Sequence, residues 1–141
     1  MRLWLARILI AIVITWNLQA ALAFFVSPKA FAPNFELSGA PGAAAVRRIA
    51  VLFFMWNVPY LVAAWHPQRH RVALLEALVM QLIGVIGETI ILLTIITPGH
   101  SLLPTSILRF IIFDGSGLLA LALAFWLSRT QPGTGRLPQV V

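Results

Sequence analysis

The sequence contains no cysteine and few acidic residues. Its 141 residues include four Asp and Glu against ten Lys and Arg, and the formal net charge is +6. The lack of cysteine excludes disulfide bonds, thiolate nucleophiles, iron–sulfur clusters and cysteine-ligated zinc. All three histidines, His66, His70 and His100, lie in turns or at the edges of apolar blocks. No histidine is therefore placed to ligate a haem or a metal-centred pigment inside an apolar segment.

Patterns that carry catalysis are also missing. His66 and His70 are four residues apart, but Pro67 interrupts the helix between them and no nearby acid completes a set of metal ligands. The chain has no serine, histidine and acid in a catalytic order and no glycine-rich phosphate loop. We therefore expect no metal, no cofactor and no enzymatic activity. A catalytic use of buried acids on a lipid-soluble substrate is the least favoured hypothesis.

Long apolar blocks dominate what is present. Hydrophobic residues make up 60% of the sequence, and the mean hydropathy is +0.94. A helix needs roughly 20 residues to cross about 30 Å of hydrocarbon. Four blocks come close to or exceed this length, at about 3–26, 47–65, 71–97 and 104–128. The sequence thus predicts an all-α integral membrane protein that forms one antiparallel four-helix bundle over residues 1–141.

Three of the segments outside the predicted helices have an informative composition. Residues 27–46 carry prolines and glycines that break long helices, and their apolar side chains favour a loop on the outer membrane interface. The sequence "HPQRHR" predicts a short basic turn, and residues 129–141 form a polar C-terminal tail. Basic residues lie at the ends of the apolar blocks, so they indicate membrane topology and lipid headgroups rather than nucleic-acid binding.

The basic residues also predict an orientation. One end of the bundle would hold six arginines and the other end three basic residues: Arg2, Arg7, Arg69, Arg71, Arg129 and Arg136 against Lys29, Arg47 and Arg48. The positive-inside rule then places both termini in the cytoplasm, in a bacterial-type inner or plasma membrane. Trp4, Trp65 and Trp126 fall at the arginine-rich end, as expected of an interfacial aromatic belt.

Each predicted span carries a polar residue near its middle. At about 1.5 Å per residue, four such residues lie roughly 14 to 15 Å from the outer ends of their helices: Asn17, Asn57, Glu88 and Asp114. Gln81 shares a face with Glu88 and extends this polar layer by about 10 Å toward the cytoplasm. Arg109 lies about 7 to 8 Å down the fourth helix. It is about 140° around the axis from Asp114, so we expect it to pair with Glu88 on the neighbouring helix.

Two interpretations of the polar layer remain open. Polar side chains commonly fix helix packing in membrane bundles, and Gly84, Gly115 and Gly117 lie near the acids, where they would let a facing helix come close. Ionisable residues in a span also mark ligand, proton or ion sites, because an unpaired charge there costs at least about 2 to 3 kcal/mol. The acids and Arg109 therefore either hold the bundle together or line a cavity open to the outer side.

The parts of the chain follow a recognisable order. An N-terminal helix is followed by an outer loop with "SPKAF" and "SGAPG", and Arg47 or Arg48 opens the second helix. The basic turn "HPQRHR", a third helix with "IGVIGE" and an acidic fourth helix come next. This order resembles the DoxX-like family of small four-helix membrane proteins. The resemblance implies an antiparallel bundle, and some such proteins are associated with quinone-linked oxidoreductase assemblies. Related sequences tend to have a basic residue where this chain has Glu88.

Two functional hypotheses follow. The leading one is a small non-catalytic subunit that packs against a larger membrane complex handling electrons or quinones, because the chain has extensive apolar surface and no cofactor ligands. The alternative is a ligand- or proton-handling bundle, for a quinone, a lipid or coupled protons, that uses Glu88, Asp114 and Arg109. The expected partners are the larger complex, membrane lipids and a quinone, with no nucleic acid.

Overall fold

The computed structural model describes residues 1–95 and 99–129. Within these ranges every regular element is a helix: α1 (Arg2–Val26), α2 (Pro28–Phe31), a short 3-10 helix (Ala32–Phe35), α3 (Gly39–Trp65), α4 (Arg71–Thr94) and α5 (Leu103–Leu127). Helices α1, α3, α4 and α5 are long and apolar enough to cross a membrane. The predicted fold class, an all-α bundle of four long helices, is confirmed.

The four long helices form a ring in which each packs on two neighbours. The backbone of helix α1 lies close to α3 and α5, and that of helix α4 lies close to the same two helices. Across the diagonal, α3 and α5 meet through the rings of Phe53 and Phe110. Consecutive long helices run in opposite directions, so α5 is also antiparallel to α1. The seam between α1 and α5 therefore joins the first and last of the long helices, which do not follow each other in sequence.

Helix α3 begins at Gly39, eight residues before the start expected from the sequence. Pro41 lies in its first turn, where the missing backbone N–H would have no helical acceptor in any case. Three consecutive alanines, the strongest helix formers, follow at residues 43–45. The predicted outer loop over 27–46 is therefore shorter. Residues 27–38, which include α2 and the 3-10 helix, are called the connecting segment below.

The last predicted boundaries fall partly outside the described residues. Helix α4 ends at Thr94 rather than near residue 97, and residues 96–98 are not among those described. Of the predicted C-terminal tail, only Arg129 is described, and it directly follows the C-cap of α5, Ser128.

The interior of the bundle has two chemically different halves. Near the end that holds Met1 and Arg129, small side chains from all four long helices are fully buried: Ala6, Ala63, Ala77 and Ala124. Small residues let membrane helices approach each other closely. Trp4, Trp65 and Trp126 are exposed at this end, which is called the tryptophan end below. The opposite half contains phenylalanines and part of the connecting segment, and is called the aromatic end.

The outward faces of the long helices are apolar. Each of them exposes large hydrophobic side chains, such as Leu22, Val58, Ile83 and Leu119. Apolar surface of this extent is unfavourable in water but matches the hydrocarbon of a bilayer. Together with the lengths of the four helices, it identifies the chain as an integral membrane protein. The side on which its termini lie stays a prediction.

Candidate binding site

A hydrogen-bonded network crosses the middle of the bundle and links three helices. The Tyr60 hydroxyl on α3 donates to Gln81 Oε1 on α4 over 2.6 Å. Gln81 Nε2 donates to Asp114 Oδ1 on α5 at 3.0 Å and to the Asp114 backbone carbonyl at 3.1 Å. Tyr60 and Gln81 are 0% and 2% exposed. Gln81 and Asp114, both predicted in the polar layer, are therefore direct partners.

Two glycines make room for this network between α4 and α5. A Cβ atom on Gly84 would lie 2.6 Å from Asp114 Oδ2, and one on Gly117 would lie 2.7 Å from Gln81 Nε2. Both distances are well inside van der Waals contact, so a larger residue would displace the carboxyl or the amide group. The prediction that small residues let a facing helix approach the acid is confirmed at these two positions.

The two predicted asparagines do not join this network. Asn57 Nδ2 donates to the Phe53 backbone carbonyl of its own helix over 2.7 Å, and Asn57 Oδ1 is buried without a hydrogen-bond partner among the described residues. Asn17 is buried on α1, and its side chain makes no hydrogen bond to any described residue. Depth alone predicts a single polar layer. The structure instead has one hydrogen-bonded network across three helices, and the two asparagines lie apart from it.

The expected ion pair between Glu88 and Arg109 does not form among the described residues, and that prediction was wrong. Asp114 faces α4 through Gln81. Arg109, five residues earlier on α5, is about 140° around the axis and therefore faces away from α4. It lies instead toward α1 and the connecting segment. Glu88 is partly buried on α4 and has no hydrogen bond or ion pair with any described residue.

Five phenylalanines form a cluster at the aromatic end. Phe24 of α1 lies at its centre, with ring centroids 4.9 to 6.2 Å from those of four others: Phe31, Phe35, Phe53 and Phe110. Three of these pairs are tilted or edge-to-face, arrangements that the quadrupoles of aromatic rings favour. The cluster packs the connecting segment against α1, α3 and α5.

A cavity of about 210 Å³ lies beside this cluster. Its walls are mainly phenylalanine rings, with three polar side chains among them: Asn34, Ser106 and Arg109. A groove of about 620 Å³ between α1 and α5 adjoins the cavity, because five residues line both: Ala20, Phe24, Phe31, Arg109 and Phe113. The groove opens on the outside of the bundle and runs past Trp16, Ala23 and Ile112.

Glu36 fastens the connecting segment to the start of α5. Its Oε1 accepts hydrogen bonds from the backbone N–H groups of Leu102 and Leu103, at 3.1 and 3.2 Å. Its Oε2 pairs with His100 Nδ1. The hydrogen bond with His100 is the main reason that the pKa of Glu36 lies below its ordinary value of 4.5, and the two N–H groups act in the same direction against partial desolvation. Glu36 thus caps a helix whose own N-cap residue supplies no side-chain acceptor.

Three residues with hydrogen bonds described above, Tyr60, Glu36 and His100, are not indicated by any sequence pattern. From the sequence, Tyr60 is interpreted as a packing residue, although a buried tyrosine hydroxyl usually has a hydrogen-bond partner. Glu36 and His100 are 64 positions apart, and no local pattern connects them. The available signal is the start of α5, which lacks a Ser, Thr, Asp or Asn cap and therefore needs an acceptor from elsewhere in the chain.

Comparison with known protein families, curated proteins and solved structures found no match for this chain. The resemblance to the DoxX-like family stays a prediction. Within residues 1–95 and 99–129, no three His, Asp or Glu side chains come together as a metal site. The features of the molecule that indicate a function are therefore the cavity, the groove and the side chains that line them.

Proposed function

We propose that the protein is a membrane-embedded binding protein that holds a largely apolar, amphiphilic ligand in the cavity and groove between α1, α5 and the connecting segment. The observation that carries the proposal is the aromatic cavity that adjoins an apolar groove and shares one arginine with it. Ligand sites in proteins are typically concave and apolar, with a few polar groups that orient the ligand. The volume of the groove falls in the range of about 300 to 1,000 Å³ that such sites occupy.

The geometry narrows the ligand-handling hypothesis drawn from the sequence. Arg109 lines the cavity, whereas Asp114 is turned toward Gln81 and Gly84. The network of Tyr60, Gln81 and Asp114 ties together α3, α4 and α5, and so supports the wall against which the groove forms. In this proposal Asp114 is a structural residue of the scaffold, and Arg109 is the polar residue of the site.

The accessory-subunit hypothesis stays a prediction as well. Lipid and a partner subunit would cover the exposed apolar faces equally well, so these faces do not favour either. The cavity and groove, in contrast, are what a ligand-binding protein requires. The cavity and groove therefore favour the binding function, whereas association with a larger complex, including one that handles quinones, is an independent hypothesis.

Saturable labelling by a photoactivatable long-chain alcohol tests the proposal. The protein would be reconstituted in lipid nanodiscs, labelled with increasing probe, and the labelled peptides identified by mass spectrometry. We expect saturable labelling near Trp16 and Phe113, on the two sides of the groove, and competition by unlabelled alcohol. Labelling that rises linearly at every lipid-facing site, without competition, would contradict a binding site.

A pair of alanine variants sharpens this experiment. Ala20 lines both cavity and groove, so Ala20→Phe should fill the site and remove the saturable component. Ala11 is exposed on α1 and lines neither space, so Ala11→Phe adds the same side chain toward lipid and should leave labelling unchanged. Equal labelling in the two variants would count against the groove as the site. Unchanged elution on size exclusion would show that both variants remain folded.

A further inference from the structure

The charge at Arg109 indicates what kind of ligand the groove takes. Arg109 lies six residues into α5, about 9 Å from the start of the helix. Its side chain is exposed, and it makes no hydrogen bond or ion pair with any described residue. A guanidinium at this depth in hydrocarbon is unfavourable unless water or an anion accompanies it. The site therefore has a positive charge that no described residue pairs, beside a cavity lined mainly by aromatic rings.

Among the described residues, no acidic side chain supplies the missing anion. The chain has four Asp and Glu side chains in all, and none is within ion-pair distance of Arg109. Glu36 is occupied by His100 and the start of α5, and Asp114 by Gln81. Glu76 lies near the tryptophan end of α4, far along the bundle from this cavity, and Glu88 on α4 lines neither the cavity nor the groove. None of the described acidic residues lines the cavity or the groove, so no described carboxylate there would repel an anionic ligand.

From these features we infer that the ligand is a single-chain carboxylate amphiphile, a long-chain fatty acid, with its carboxylate on Arg109 and its chain in the groove between α1 and α5. This inference rests on the proposed binding function and specifies its ligand. The two guanidinium N–H pairs of arginine match the two oxygens of a carboxylate, which allows a bidentate contact.

The polar neighbours of Arg109 fit a small headgroup. Asn34 and Ser106 line the same cavity, and neither side chain makes a hydrogen bond to a described residue. Both are therefore free to donate to a carboxylate oxygen. Of the described residues that line the cavity, Arg109 alone is cationic. One guanidinium matches the single charge of a carboxylate better than the double charge of a phosphate monoester.

The sizes of the two spaces favour one chain over two. A cavity of about 150 Å³ accepts a molecule the size of benzene, so the 210 Å³ cavity holds a headgroup with the first part of a chain. The groove, at about 620 Å³, is in the range of a single drug-sized ligand. It runs from Arg109 past Phe113 to Ser116, deeper along α5. A bound fatty acid would thus keep its carboxylate nearer the membrane interface than its chain, as it does in a lipid leaflet.

Four competitors that share one chain length but differ in headgroup test which headgroup the site prefers. Labelling of the groove by the photoactivatable alcohol would be competed with palmitate, palmityl alcohol, a lysophosphatidate and a lysophosphatidylcholine, at mildly alkaline pH so that palmitate is ionised. We expect palmitate to compete about ten- to a hundredfold better than palmityl alcohol, the range expected of a charge-assisted hydrogen bond. Equal competition by the two would overturn the inference and leave the binding function intact. Preference for either lysolipid would also overturn it, in favour of a phosphate headgroup.

Variants of Arg109 assign the preference to this residue. Arg109→Gln should remove the advantage of palmitate over the alcohol, and Arg109→Lys should keep part of it, because the charge stays but the bidentate contact is lost. Arg48 is exposed near the aromatic end of α3 and lines neither space, so Arg48→Gln removes the same charge and should change nothing. A preference that survives Arg109→Gln would overturn the inference. If no probe labels the groove saturably, it is the proposed function itself that fails.

Discussion

At the scale of single residues, Gly84 determines how Asp114 is held. The Asp114 carboxyl group occupies the space where a side chain on residue 84 would begin. Gly87 lies one turn along the same helix, and nothing is within 4 Å of the place where its Cβ would be. The two glycines therefore form a matched pair, one in contact with the polar network and one in open space.

We predict that Gly84→Ala destabilises the bundle and that Gly87→Ala does not. The new methyl group at residue 84 would push Asp114 away from Gln81 and leave a buried amide without its acceptor, at a cost of about 1 to 3 kcal/mol. Alanine at residue 87 gains up to about 1 kcal/mol of helix propensity. Thermal unfolding of the two detergent-solubilised variants, followed by circular dichroism, measures the difference. A melting temperature unchanged by Gly84→Ala would show that the contact does not matter.

The polar residues show what sequence can predict at this scale. Counting along each helix gives the depth of a residue, and it predicts that Gln81 and Asp114 belong to one polar layer, where they hydrogen-bond. It does not give the direction in which a helix faces its neighbour. That direction is set by packing, here by the fit of Asp114 against Gly84 and of Gln81 against Gly117. Depth alone therefore predicts an ion pair between Arg109 and Glu88, although Arg109 faces the opposite side of α5.

At the scale of structural elements, the connecting segment depends on Glu36. The aromatic cluster holds its apolar side chains, and Glu36 holds its C-terminal part to α5. Glu36 itself adopts a left-handed backbone conformation, with φ at 55°, which is uncommon for a residue with a side chain. The contacts with His100 and the α5 backbone compensate for this conformation.

We predict that acidification releases the connecting segment. The pKa of Glu36 is lower in the folded protein than its ordinary value of 4.5. Its contribution to stability is therefore fully present above pH 4.5 and is lost as the pH falls through the folded-state pKa. Limited proteolysis of residues 27–38 across this range should show cleavage that increases with acidity in the wild type.

Two variants control the proteolysis experiment. Glu36→Gln should be cleaved more readily at neutral pH and should lose the pH dependence, because its amide cannot take a negative charge. Glu76→Gln, at an exposed position of α4 without a hydrogen bond or ion pair to a described residue, should behave like the wild type. A pH profile shared by all three proteins would assign the effect to another group.

The start of α3 shows why element boundaries are harder to predict than elements. Proline and glycine in residues 39–42 count against a helix when they are read as composition. The position of Pro41 within the helix leads to the opposite conclusion, because Pro41 lies in the first turn, where a proline ring is tolerated. Knowing that position requires knowing where the helix starts, which is the quantity being predicted.

At the scale of the whole molecule, four crossings bring the two ends of the helical region to the same side. The connecting segment and the start of α5 then lie on the opposite side. The predicted topology places the tryptophan end in the cytoplasm, because more arginines lie there. The native chain has no cysteine, so single introduced cysteines report topology without a background.

We predict that Ser38→Cys and Ser101→Cys react with a membrane-impermeant maleimide in intact cells, because both serines are exposed at the aromatic end. Gln68→Cys lies in the turn between α3 and α4 and should react only after the cells are permeabilised. The reverse pattern would show that the bundle is inserted the other way round and that the arginine distribution does not set its topology.

The fold was predictable from the sequence because hydrocarbon imposes a simple requirement, a run of apolar residues about 20 long for each crossing. The cavity was not predictable in this way. It depends on how Phe24, Phe31 and Phe110, from three separate parts of the chain, pack together. Their aromatic character is visible in the sequence, but their meeting point is a property of the folded chain.

The position of the groove at the seam between α1 and α5 determines the route by which a ligand would enter it. In the proposed binding function, a ligand dissolved in the bilayer would reach this seam by lateral diffusion without crossing into water. The first and last of the long helices form the seam, so no short loop prevents them from separating slightly as a chain enters. Occupancy would then follow the composition of the surrounding leaflet, and the protein would respond to the membrane in which it sits rather than to the aqueous phase.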